Sequence, residues 1–115
     1  MSSRVYQIDN SDIYVLELKG TITNPKGFHE LGEITQEIIK DLSIRMLIIN
    51  QDPDHLKITS GGLEHIINLC AAIQDRSVVF SGVRNSFKKL LTVTKIYDKY
   101  PQYNSLKEAI NHYLH

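Results

Sequence analysis

A chain of 115 residues, 42% of them hydrophobic, is long enough for one core of sheet and helices, and too short for a cofactor domain joined to a substrate domain. Thirteen basic side chains balance thirteen acidic ones, which argues against a broad electrostatic footprint for nucleic acid or an anionic membrane. No stretch reaches membrane-spanning length, and Met1-Ser2-Ser3-Arg4 leads into strand-like sequence rather than a signal peptide, so one cytoplasmic domain over residues 1–115, without membrane insertion, is expected.

Val5-Tyr6-Gln7-Ile8 and Ile13-Tyr14-Val15-Leu16-Glu17-Leu18 are β-rich runs on either side of the turn-forming cluster Asp9-Asn10-Ser11-Asp12, which predicts an antiparallel hairpin. Asn24-Pro25 then offers an N-cap with proline at the first helical position. Phe28, Leu31, Ile34, Ile38 and Ile39 recur behind it at helical spacing, the signature of an amphipathic helix. Met46-Leu47-Ile48-Ile49 is apolar without alternation, as in a strand buried on both faces, and Ser77-Val78-Val79-Phe80 repeats the pattern. The segment after the first of these strands, Asn50 to Ser60, reads as an exposed loop. Its Gln51-Asp52-Pro53-Asp54-His55 is too polar for a core and too rich in turn formers for a strand. A helix is predicted to begin near Ser60. It carries the only cysteine, Cys70, in the apolar run Ile66–Ile73, which excludes a disulfide within the chain and fits a reducing compartment.

A third helix is predicted over Phe87 to Thr92 and a short strand or extended piece near Tyr97 to Tyr103. Ser105-Leu106-Lys107-Glu108 is a capping-box start for a last helix through Ile110 and Tyr113. The alternation predicts an α/β fold, with a central mixed sheet of about four to five strands and about four to five helices. The strands at Met46–Ile49 and Ser77–Phe80 should lie adjacent and parallel, joined by the Ser60 helix, with functional loops at their carboxyl ends.

The most informative run is Lys57-Ile58-Thr59-Ser60-Gly61-Gly62-Leu63-Glu64-His65, where two hydroxyls and two glycines meet a helix start. N–H groups there are unsatisfied and the helix dipole is positive, so Ser60 can cap the helix or carry a stabilised phosphate on an exposed surface. Other constellations carry less. Ser60 and His65 lack the Gly-x-Ser-x-Gly elbow and an orienting third group, so hydrolysis is not expected. His112 and His115 have no carboxylate or cysteine at ligand spacing, which leaves no metal site, and Gly61-Gly62 lacks the Lys-Ser/Thr of a phosphate-binding loop. No cofactor is expected. Arg84, Lys88, Lys89 and Lys95 read as a solvated basic face or as a contact for an acidic partner.

The order of these words resembles a STAS domain, the fold of bacterial anti-sigma factor antagonists and of the cytoplasmic tails of sulphate transporters. Thr59-Ser60-Gly61-Gly62-Leu63 resembles the family's Asp-Ser-Ser/Thr-Gly-Leu word at a helix start, and Val78-Val79-Phe80-Ser81-Gly82-Val83 its strand-to-glycine passage. Phe87 to Tyr97 resembles its following helix, and Pro101-Gln102-Tyr103-Asn104-Ser105-Leu106-Lys107-Glu108-Ala109 its entry into the last helix. Nearly the whole chain is covered. The word departs at Thr59, which replaces the acidic residue, and at Gly61, which replaces the second hydroxyl. Lys95 stands where the family often has glycine.

The resemblance implies a non-enzymatic signalling module that binds an anti-sigma factor or serine kinase-type regulatory protein. Ser60 would be the phosphoacceptor, and Asp54, His55, Thr59, Ser60, Gly61, Gly62 and Glu64 the partner-binding residues. The alternative is a small-ligand or lipid-binding STAS-like protein, with a pocket opening on the apolar side of the helices around Leu63, Ile66 and Ile67.

Overall fold

The cluster Asp9-Asn10-Ser11-Asp12 turns the chain back on itself. Asp9 takes a positive φ of 49°, the Ser11 N–H donates to Ile8 O at 3.1 Å, and the Ile8 N–H donates to Ile13 O at 2.9 Å. Strand β1 (Arg4–Gln7) is thereby set antiparallel against β2 (Ile13–Ile22), with Tyr6 opposite Val15. The computed structural model describes residues 3–114, without the side chains of Pro53, Asp54, His55, Asn85 and Ser86.

Helix α1 (Pro25–Lys40) starts as its sequence predicts. Asn24 is extended, and its Oδ1 accepts the Gly27 N–H at 2.9 Å, while Pro25 needs no donor partner in the first turn. Leu31 and Ile38 point into the core and Phe28, Ile34 and Ile39 pack at its margin.

The polar stretch after Ile49 is not the loop its composition suggests. Strand β3 runs on from Met46 to Ile58. Its first part pairs in parallel with β2 as far as Leu18 opposite Gln51, and its second part resumes with Gly20 opposite Leu56 and ends with Ile22 opposite Ile58. Residues 52–55 therefore stand opposite Lys19 alone, and the turn formers occupy this interruption. Pairing recovers because Leu56 and Ile58 again present apolar side chains to the core, where burial outweighs the local preference for a turn.

Helix α2 (Ser60–Ala72), strand β4 (Ser77–Ser81), helix α3 (Asn85–Val93), the short strand β5 (Gln102–Tyr103) and helix α4 (Leu106–Leu114) follow. The five strands form one mixed sheet in the order β1-β2-β3-β4-β5. The β3–β4 pair is parallel, with Ile48 opposite Val79, as the sequence predicts, and β4 and β5 are also parallel. Four helices among the described residues complete an α/β fold within the expected range.

Strand alternation sorts the core into two layers. Leu16 and Leu18 of β2, Leu47 and Ile49 of β3, and Val78 and Phe80 of β4 meet Leu31, Leu63, Ile66, Phe87 and Leu91, so α1, α2 and α3 all cover one face. The intervening Ile13, Val15, Met46, Ile48 and Val79 meet Ala109 of α4 on the other. Three successive crossovers on one face are what a constant crossover hand requires. No helix among the described residues is long and apolar enough to cross a membrane.

Candidate functional site

Because β2, β3, β4 and β5 run in parallel, the chain leaves each of them at the same end of the sheet, and the helix that follows begins there. Ser60 lies at that end. The capping position belongs to Thr59, which is extended with φ −109° and makes no side-chain cap bond, and Ser60 is the first residue of α2. The expected serine cap is thus displaced by one residue. The cause is the final β2–β3 pairing, since the Thr59 N–H still donates to Ile22 O at 3.3 Å and holds Thr59 in the extended form. Thr59, Ser60 and Glu64 are exposed, and the first turn of α2 carries no acidic residue. The side chains of Asp54 and His55 lie outside the described residues, as does His115.

The two glycines serve different contacts. A Cβ on Gly62 would sit 2.7 Å from the Ile22 carbonyl oxygen and 2.9 Å from Ile58 Cγ1, so the helix start is pressed against the end of β2 where no side chain fits. At Gly61 the same space is held by the Phe28 ring of α1, whose Cζ would lie 2.9 Å from an added Cβ. A hydroxyl-bearing residue here would have to displace that ring. Phe28 in turn faces His65, with ring centroids 6.2 Å apart. Ser60 and His65 are five residues apart, ~140° around a helix, and the imidazole lies over α1 rather than toward the serine. No nucleophile–base pair forms. An open groove of about 510 Å³ runs between α1 and α2, bounded by Phe28, Gly32, Glu33, Glu37 and His65 among others. Leu63 and Ile66 have no exposed surface and Ile67 is partly buried, so all three side chains belong to the packing between α2 and the sheet.

Behind the site lies a buried polar latch that composition alone does not single out. Ser81 donates to Asn50 Oδ1 at 2.7 Å, and Gln51 Oε1 accepts the Arg84 N–H at 3.0 Å, tying the ends of β3 and β4 to the start of α3. Gly82, with φ 65°, passes 2.9 Å from Gln51 O measured at its would-be Cβ, so only glycine suits both the torsion and the approach. Beside the 52–55 interruption, Lys19 Nζ lies 3.1 Å from Glu17 and 3.8 Å from Asp52, which fixes the base of that segment. The available signal was Asn50-Gln51 at the end of an otherwise apolar strand. Phe28 reads in the sequence only as part of a core stripe. His112 is exposed and its ring packs with Tyr103 and Tyr113, the latter two joined by a 2.9 Å hydroxyl bond.

No protein-family model matches the chain, and no curated protein does. Solved structures do. A Thermotoga maritima protein described as a candidate anti-sigma factor antagonist superposes with a TM-score of 0.77 at 15% identity, over 98% of this chain and 95% of that one. The phosphorylated form of the Bacillus cell-fate determinant SpoIIAA gives 0.75 at 11% identity, over 96% of this chain and 98% of its own. A STAS-domain protein of Planctomyces limnophilus gives 0.76 at 14% identity, over 97% of each chain. The chain carries the STAS fold, and at these identities the likeness is one of fold.

Proposed function

We propose that the whole chain works as a non-enzymatic regulatory module that docks a partner through the start of α2 and is switched by phosphorylation of Ser60. The single observation behind this reading is the position of that serine. It is exposed, it stands first in a helix whose cap makes no side-chain bond, and it lies at the sheet end where loops and helix starts gather. A fold shared with anti-sigma factor antagonists, one of them solved in phosphorylated form, supports it.

The chemistry follows from charge. A phosphoryl group adds close to two negative charges, which the helix start tolerates because its N–H groups and dipole are positive. The same charge penalises any partner surface fitted to the neutral serine. Asp54, His55, Thr59, Gly61, Gly62 and Glu64 surround Ser60 in sequence and form the docking face under this reading. Its partner is an anti-sigma factor or serine kinase-type regulatory protein. Phe28 belongs with them through its contact with Gly61.

The test begins with a low-stringency pull-down from the source cell and mass spectrometry of both the partner and Ser60. Calorimetry against the recovered partner then compares Ser60→Asp with Ser60→Ala. The aspartate variant should bind about tenfold or more weakly and the alanine variant as the parent does. Equal affinities would falsify the phosphoswitch and leave a constitutive scaffold.

A further inference from the structure

The surface of α3 carries a charge imbalance within a chain that is neutral as a whole. Between Asp75 and Asp98 the sequence holds five cations, Arg76, Arg84, Lys88, Lys89 and Lys95, and no acidic residue. Arg76 is engaged elsewhere, donating to Ile38 O and Ile39 O at 2.8 Å each. The other four are exposed, and among the described residues none has a carboxylate within ion-pair distance. Phe87 and Leu91 are fully buried, which turns Lys88, Lys89, Thr92 and Val93 outward. Spaced one turn apart, Lys88 and Thr92 form one row and Lys89 and Val93 another, and Arg84 stands at the extended N-cap before them. Lys88, Lys89, Thr92 and Val93 line a shallow groove of about 410 Å³, in which Val93 is 79% exposed.

Helix stability does not account for the arrangement. Arg84 is the N-cap of α3 and Lys88 and Lys89 follow within its first five residues, toward the positive end of its dipole, whereas Lys95 lies just past the C-cap; no acidic residue occupies the first turn. One exposed valine is ordinary by itself, but between lysine stems it offers an apolar contact ringed by positive charge.

We propose that α3 docks an acidic segment of a partner protein, with carboxylates on Arg84, Lys88, Lys89 and Lys95 and one aliphatic side chain on Val93. Nucleic acid fits less well, because the neighbouring Tyr97 ring is covered by the Lys88 ammonium at 5.5 Å and is not open to base stacking. A membrane surface fits less well too, since a nine-residue helix with one exposed aliphatic side chain offers little apolar area to insert. None of the residues lining this groove belongs to the Ser60 docking face, and the proposal does not rest on the phosphoswitch.

The experiment is fluorescence anisotropy on the full chain with a labelled synthetic peptide of repeated Glu-Glu-Leu, at low and at physiological salt. Lys88→Glu with Lys89→Glu should weaken binding about tenfold or more, Lys88→Arg with Lys89→Arg should retain it, and Val93→Ser should weaken it several-fold. Lys26→Glu with Lys57→Glu reverses two exposed charges on other elements and should leave affinity within about twofold. The variants are all at exposed positions, and circular dichroism verifies that each is folded. Equal loss in both lysine pairs overturns the proposal, because it means the peptide binds any positive charge. Absence of peptide binding overturns it as well, as does tighter binding of a single-stranded oligonucleotide or of phosphatidylserine vesicles.

Discussion

Lys95 illustrates how a single torsion connects sequence to stability. It adopts φ 65°, in the left-handed region, just after the C-cap of α3, at the position where STAS proteins often have glycine. A side chain there costs roughly 1–2 kcal/mol, part of which glycine returns through the freedom it gives the unfolded chain. Lys95→Gly should therefore raise stability by about 0.5–1 kcal/mol in urea denaturation. Its retention as lysine is in keeping with a role for charge on α3. Cys70 makes a second residue-scale case. Burial pushes its thiol from 9.0 up to about 11, against smaller opposing effects of a hydrogen bond to Tyr100 and the charge of Lys99. Its folded value lies above its unfolded one, so the stability it contributes is present below the unfolded value and is lost as pH rises toward 11. Thermal denaturation between pH 9 and 11 should show a decline that is shallower in Cys70→Ala. At neutral pH the thiol should resist maleimide until the chain is unfolded.

Elements were legible where their signals are local. Asn24-Pro25 and the last-helix entry each act within four residues, and both caps form. Ser105 Oγ accepts the Glu108 N–H at 3.1 Å, although Glu108 reaches back to the Asn104 N–H rather than to that of Ser105. The continuation of β3 was not legible, because Asp52-Pro53-Asp54 is a sound turn signal and only the partner strand shows that pairing resumes at Leu56. The Phe28–Gly61 contact is likewise hidden, its members being a helix and a strand apart in the chain. Arg76 was also silent, and it has a large effect on α1. Its guanidinium bonds the Ile38 and Ile39 carbonyls that a helix end leaves open. Arg76→Ala should cost about 1.5–3 kcal/mol and speed amide exchange in the last turn of α1. Arg76→Lys should recover little of it, because one ammonium does not reproduce the planar fork.

On the scale of the whole molecule, the sheet is a partition with α1, α2 and α3 on one side and α4 on the other. Adjacent residues of β3 test the two sides separately, since Ile48 faces the α4 layer and Ile49 the three-helix layer, both without exposed surface. Truncation of either to alanine should cost about 2–5 kcal/mol. Amide exchange should then accelerate mainly in α4 for Ile48→Ala and mainly in α1 to α3 for Ile49→Ala. Uniform acceleration in both would mean that the layers open together.

Strand order that follows chain order also bears on how the molecule is made. Each new strand is laid beside the one synthesised just before it, and each crossover is closed by a single intervening helix, so no strand waits for a distant segment to supply its neighbour. Such a chain pays its loop-closure entropy in small instalments, which favours rapid folding for a largely parallel sheet. During synthesis the growing sheet has one advancing edge, and the next strand out of the ribosome is the one that covers it.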